Sequence, residues 1–250
     1  MADNKYKRIL LKLSGEALAG DQKHGLNKNA IKLIAQQIVR AKAEGIQIAI
    51  VTGGGNFWRG RSAFEGMDHV TADNIGMIAT VMNSLAVADT LNNLGHKTTV
   101  MSAVPMNSVC MSYTPRDASR LLDGGEIVII GGGTGNPFFT TDTAAALRAV
   151  ETKCDIMMKA TNVDGVYDKN PKEFPDAKLV LSPTFDYIIE NKLDALDAAA
   201  SVLCRDKDMP LLVFNMTDPE NIGKALFGEN IGTLVLPPEK PKQNTEKSEQ

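Results

Sequence analysis

Short apolar runs of strand length alternate with longer segments of helical period along the chain, and this alternation most narrows the folds open to it. Lys7–Leu13 carries Ile9, Leu10, Leu11 and Leu13. Asn27 is placed to cap a helix whose Ile31, Ile34, Ala35, Ile38 and Ala41 fall on one face. Gly45 ends it, and the β-branched run Ile46–Val51 follows. Ala72–Leu94 reads as a long helix closed by Gly95, followed by a strand at Lys97–Ala103, a helix near Pro115–Leu122 and a strand at Glu126–Ile130. The second half repeats the rhythm: helix at Asp142–Val150, strand at Asp155–Ala160, helices at Phe185–Glu190 and Leu196–Arg205, strands at Leu211–Asn215 and Thr233–Leu236. Near-continuous apolar strands separated by helices belong to a mainly parallel sheet covered on both faces. The expected fold is therefore α/β, a three-layer α/β/α sandwich, with no internal repeat.

No linker divides the chain. Pro171–Pro183 reads as a loop or hairpin inside one domain spanning residues 1–236. Residues 237–250 contain no hydrophobic side chain and are expected to form a disordered polar tail. A chain of 250 residues can bury about 70–75% of its unfolded surface, so a full core is expected. Lys plus Arg total 27 against 30 Asp plus Glu, a net −3, which leaves no general cationic field for nucleic acid. Cys110, Cys154 and Cys204 lie far apart without a C-x-x-C spacing, so neither a disulfide framework nor a structural zinc site is expected. The apolar run Ile9-Leu10-Leu11 is too short for a signal-peptide core, and no run approaches the ~20 residues that span a bilayer. The expectation is a soluble, cytoplasmic protein that uses no membrane.

Three glycine-rich turns follow strands directly: Leu13-Ser14-Gly15, Gly53-Gly54-Gly55-Asn56, and Gly131-Gly132-Gly133-Thr134-Gly135-Asn136. Ligands of open parallel sheets bind outside the carboxyl ends of the strands. Glycine there lets backbone N–H groups approach an anion without a Cβ in the way. Three such turns at one end of a sheet point to a phosphate cradle. It is not a Walker loop, because the one Gly-Lys pair, Gly223-Lys224, is followed by Ala225. Nor is it the dinucleotide fingerprint, whose third glycine is replaced by Trp58 after the second turn and by Asn136 after the third. Cations gather at the same places. Lys12 stands between Leu11 and Leu13 in a strand expected to be buried, where an anion must compensate its desolvation. Arg59 follows the second turn, and Lys159 ends a strand, either as an exposed cation or as a second phosphate ligand.

Together these segments resemble the amino-acid-kinase superfamily: Leu11-Lys12-Leu13-Ser14-Gly15-Glu16, then Gly53 through Gly60 with Asn56-Phe57-Trp58-Arg59. Gly133-Thr134-Gly135-Asn136-Pro137-Phe138-Phe139-Thr140-Thr141-Asp142 is similar to the bacterial-type UMP kinase (uridylate kinase) family within it. Lys159-Ala160-Thr161-Asn162-Val163-Asp164-Gly165-Val166-Tyr167 and the Arg205–Met216 region extend the likeness over residues 6–236. The resemblance implies transfer of the γ-phosphoryl group of ATP to UMP with Mg²⁺, in pyrimidine nucleotide biosynthesis. It also implies a homohexamer inhibited by UTP. No general base is needed, because a phosphate monoester with a second pKa of about 6 is already anionic at neutral pH. The demand is for positioning and charge stabilisation.

Carried over residue by residue, the resemblance places Lys12, Leu13, Ser14, Gly15, Gly55 and Arg59 at the ATP phosphates. Thr161, Asn162, Tyr167 and Asn170 would surround the rest of ATP, with asparagine at 170 where many relatives carry aspartate. Gly54, Asp73 and the run Thr134, Gly135, Asn136, Pro137, Phe138, Phe139, Thr140, Thr141 would hold UMP, with Asp73 accepting from the ribose hydroxyls. Asp73 also reads as an ordinary carboxylate opening the long helix, and one of Phe138 and Phe139 as core. The catalytic set is Lys12, Arg59, Asp142, Lys159 and Asp197. Asp142 either orients the lysines or simply suits the first turn of its helix. No protein ligand for a metal is expected. Between Arg61 and Lys97 there is no lysine or arginine, so the long helix offers no cation to a triphosphate effector. Kinases of carbamate, acetylglutamate or isopentenyl phosphate and a non-catalytic nucleotide sensor are the competing readings.

Overall fold

The computed structural model describes residues 6–59, 66–171 and 173–238. Strand β1 (Arg8–Leu13) leads through the short helix α1 (Gly15–Ala19) to α2 (Lys28–Ala43) and β2 (Gln47–Thr52). Helix α3 (His69–Asn93), β3 (Thr98–Ser102), β4 (Met111–Ser112), α4 (Pro115–Asp123) and β5 (Ile127–Gly131) follow. Then come α5 (Thr141–Glu151), β6 (Ile156–Thr161), and the small strands β7 (Val166–Tyr167) and β8 (Leu179–Val180). The described chain ends with α6 (Phe185–Glu190), α7 (Ala198–Asp206), β9 (Leu211–Asn215), α8 (Glu220–Leu226) and β10 (Thr233–Val235).

One sheet runs β10-β9-β6-β1-β2-β5-β3-β4, parallel throughout except where β10 lies antiparallel to β9. Successive side chains of a strand point to opposite faces. Ile9, Leu11 and Leu13 accordingly pack on Ile34 and Ile38 of α2, Leu91 of α3 and Ile222 of α8. Leu10 packs on the other side with Ala145 and Ala146 of α5, Phe185 of α6 and Cys204 of α7. Burying each such Leu or Ile contributes roughly 1.5–3 kcal/mol, which is why the strands read as near-continuous apolar runs. Lys12 shares the face of Leu10, under α5.

The three-layer sandwich expected from the alternation is the observed one. Asn27 caps α2, its Oδ1 accepting from Asn29 N and Ala30 N. The long helix, however, starts at His69 rather than Ala72, with Asp68 as its cap accepting from Thr71 N at 2.9 Å. Asp73 therefore lies past the first turn, where the dipole effect has faded, and does not open the helix. The helix expected from Leu196 begins at Ala198 with Asp197 as its cap. Helices α1 and α8 and strand β4 were not anticipated, being too short to show a period. The Pro171–Pro183 stretch belongs to the β7–β8 hairpin. Of the disordered tail expected over residues 237–250, residues 239–250 lie outside the described residues. Among the described residues no helix is long and apolar enough to cross a membrane.

Candidate active site

The parallel pairing of β1 and β6 sets Lys12 directly opposite Lys159. Two ammonium groups side by side on a covered face repel each other unless an anion joins them. Asp142, in the first turn of α5, is that anion. Lys159 Nζ donates to Asp142 Oδ2 at 2.7 Å and to the carbonyl of Ala195 at 2.8 Å. Lys12 Nζ stands 2.9 Å from Oδ1, completing an ion pair. Burial pushes the Asp142 carboxyl up, but the charges of Lys12 and Lys159 outweigh it and hold the group below the ordinary carboxylate value. Two cations against one anion leave the trio net positive and ready for a further anion.

The first two glycine turns are locked together next to this trio. Gly53 N donates to the carbonyl of Leu13 at 2.8 Å. A Cβ at Gly15 would come within 2.4 Å of Asn56 Oδ1 and 2.8 Å of Gly55 N, so no side chain fits there. Ser14 caps α1 through its Oγ, which accepts from Ala17 N. Leu13 is fully buried and offers only its backbone. The third turn reverses the chain through left-handed glycines, with φ of +78° at Gly132, +58° at Gly133 and +81° at Gly135. Thr134 Oγ1 closes it by accepting from Asn136 N.

Recesses line the carboxyl edge of the sheet. One of about 390 Å³ is bordered by Lys159, Thr161, Asn162, Tyr167 and Asn170. A second of about 540 Å³ joins it at Thr161 and Asn162 and reaches Ser14. A third of about 520 Å³ is bordered by Gly54, Gly55, Asp73, Asn136, Phe138, Phe139, Thr140 and Thr141. Asp73 Oδ2 accepts from Phe138 N at 2.7 Å and lies 3.2 Å from His69 Nδ1, while the His69 ring stacks on Phe138. Phe138 and Phe139 are 68% and 53% exposed, so neither is core. Thr134, Gly135 and Pro137 shape the third turn from outside the recess, with Gly135 against Ala103. Arg59 pairs with Glu16 beside Gly55, Phe57 and Trp58. Among the described residues Asp197 forms no ion pair with Lys12 or Lys159. It caps α7 and accepts from Thr140 and Thr143.

The sequence model of the amino acid kinase family matches residues 7–215. A uridylate kinase of Xanthomonas oryzae pv. oryzae is 50% identical over 236 residues, covering 94% of this chain and 98% of its own. This chain belongs to the uridylate kinase family. Solved structures agree. The UMP kinase of Bacillus anthracis superposes with a TM-score of 0.89 at 39% identity, over 92% of this chain and 96% of the other. The UMP kinase of Ureaplasma parvum gives 0.87 at 36% identity, over 93% and 99%.

In this family member several contributors escaped the sequence reading. Trp58, His69, Met77 and Thr80 also line the recess of Asp73. Thr80 Oγ1 accepts from Gly132 N at 2.8 Å, and Asn83 donates to the carbonyl of Gly53 at 2.6 Å. Thr80, Asn83 and Ser84 are buried polar side chains on a helix otherwise rich in Ala, Met and Leu. That polar stripe was the available signal, since buried polar groups demand partners. Arg148, buried beneath the third turn, gave no motif at all.

Proposed function

We propose that this uridylate kinase family member transfers the γ-phosphoryl group of ATP to a phosphate oxygen of UMP, giving ADP and UDP. The single observation carrying this is the trio Lys12–Asp142–Lys159 between two recesses. Lys159 borders one recess, and Asp142 directly follows Thr141, which borders the other. ATP lies in the first, its adenosine among Thr161, Asn162, Tyr167 and Asn170 and its phosphates toward Lys12, Ser14, Gly15, Gly55 and Arg59. UMP lies in the Asp73 recess, its ribose hydroxyls on Asp73 and its base against the loop Thr134–Thr141.

The attacking oxygen is already anionic, so no residue need remove a proton. Lys12 and Lys159 stabilise the charge that spreads over the transferring group, and Asp142 holds their ammonium groups in place. Fixed charges aimed at the reacting phosphoryl group are the main source of acceleration in this chemistry. Both oxygens of Asp142 are committed to the lysines, and no described cluster of three His, Cys, Asp or Glu side chains gathers there. This donor set fits a Mg²⁺ ion carried by the ATP phosphates and water, its usual habit. When bound, the ion supplies further neutralisation of phosphate charge.

The same reading makes residues 1–236 one kinase domain working in the cytoplasm in pyrimidine nucleotide supply. UTP shares the uridine of UMP and inhibits by competing for its recess. Ile78 and Met82, each 45% exposed on α3, support a subunit interface within a homohexamer. ADP release with ATP and Mg²⁺ against UMP, CMP, dUMP, carbamate and acetylglutamate tests the proposal. Turnover on UMP with dUMP poor supports it; turnover on a non-nucleotide, or none with nucleotide still bound, refutes it.

A further inference from the structure

We propose that Arg148 is a positioning residue that sets the third glycine turn for UMP. This inference rests on the functional reading above and deepens it.

Arg148 is only 4% exposed and sits on α5 facing the back of the turn. Its Nη2 donates to the carbonyls of Gly133 at 3.2 Å and Thr134 at 3.3 Å. Those carbonyls need such a donor. The left-handed glycines on either side turn the chain out of the β5 ladder, so no strand can supply N–H groups to them. The brace continues outward, because Thr134 Oγ1 is bonded to both the N–H and the carbonyl of Asn136, which borders the UMP recess.

The guanidinium is itself fixed from behind. Nη1 donates to Glu151 Oε2 at 2.7 Å, the Tyr113 ring lies 4.1 Å beneath the guanidinium carbon, and Tyr113 OH donates to the same Glu151 oxygen at 2.6 Å. Burial, and then the neighbouring Glu151, push the Tyr113 phenol up, so it remains a donor. Arg148 Nε is buried without a hydrogen-bond partner. An arginine that leaves one N–H unsatisfied while aiming another at two loop carbonyls is oriented for the loop's benefit. Asp142 stands on the same helix, six residues nearer its start. One rigid element thus carries both the anchor of the phosphate lysines and the brace of the acceptor turn, and so fixes their spacing.

Arg148→Met and Arg148→Lys are compared with the wild type by steady-state kinetics, UMP calorimetry and thermal unfolding. Arg148→Met is expected to raise KM and Kd for UMP about tenfold or more while KM for ATP stays within about twofold. Arg148→Lys is expected to recover part of the loss, because an ammonium reaches one carbonyl but not two at fork geometry. Parallel rises in both KM values, or an unchanged UMP KM, overturn the inference. Should Arg148→Met fail to fold, Tyr113→Phe replaces it, with UMP KM raised about two- to threefold and ATP KM unmoved; any other pattern overturns the inference. A wild type that turns over UMP beside an unaffected Arg148→Met refutes this inference alone. A wild type that neither binds nor turns over UMP refutes the functional reading and this inference with it.

Discussion

Asn56 and Asn83 exchange both halves of their side-chain amides in a site closed to solvent. Asn83 Nδ2 donates to Asn56 Oδ1 at 2.7 Å, and Asn56 Nδ2 returns to Asn83 Oδ1 at 2.9 Å. The second donation of Asn83 goes to the carbonyl of Gly53 at 2.6 Å, and that of Asn56 to the carbonyl of Gly25 at 2.7 Å. One amide pair thus fastens the second glycine turn, the long helix α3 and the loop before α2. Asn83→Leu would strip partners from Asn56 and Gly53 together. The expected loss is about 3 kcal/mol, a fall in Tm on the order of 10 °C, measured by thermal unfolding. An unchanged Tm would mean that the pair is replaceable by packing.

Lys12→Ala is expected to lower kcat about 100-fold or more, with UMP affinity changed far less. Asp142 keeps Lys159 as a partner in that variant, so the fold should survive. Collapse of UMP binding with kcat preserved would remove Lys12 from its role as charge stabiliser.

The Asp142 carboxyl is held below the ordinary carboxylate value, so the unfolded chain takes up its proton at higher pH than the native one. Its contribution to stability is therefore complete above roughly pH 4 and drains away as pH falls toward the native value. Denaturant titrations of the wild type and Asp142→Asn should show a wide stability gap at pH 7 that narrows in acid. A gap of constant width down to pH 3 would show that the carboxyl's charge does not carry it.

Asp73→Asn keeps an oxygen to accept from Phe138 N but removes the charge. UMP KM should rise about tenfold, and the preference for UMP over dUMP should shrink, since only a hydrogen-bonding site can reject the analogue that lacks a hydroxyl. Competition kinetics with the two acceptors measure this. Undiminished discrimination would move ribose recognition to another group.

The sheet was legible because a strand buried on both faces leaves a dense apolar run, and helices betray themselves by period and caps, as at Asn27. The glycine turns were legible because backbone that must approach another backbone excludes Cβ, as at Gly15. What the chain alone leaves open, such as the two readings of Asp142, depends on pairing across the sheet. Lys12 and Lys159 are 147 positions apart, and only the β1–β6 register makes them neighbours in need of Asp142. Arg148 reads as any helix arginine until the turn above it is seen to lack donors. Asp197 reads as a weaker candidate of the same kind as Asp142, and the chain alone does not show that Thr140, Thr143 and Ala200 N surround it. The start of α3 was misplaced because His69, Val70 and Thr71 carry no apolar period, whereas the cap at Asp68 is unmistakable in three dimensions.

Lys12 meets Asp142 because it lies an even number of residues from Leu10, on the face that α5 covers, while Leu11 and Leu13 point the other way. The length of β1 is thereby subject to a parity condition. Inserting or deleting one residue between Arg8 and Leu11, with the rest of the pairing kept, would swing the ammonium into the apolar layer of α2 and α3 and offer leucine to a buried carboxylate. Substitutions in this strand adjust volume by degrees, but an odd change in its length inverts charge and grease in a single step.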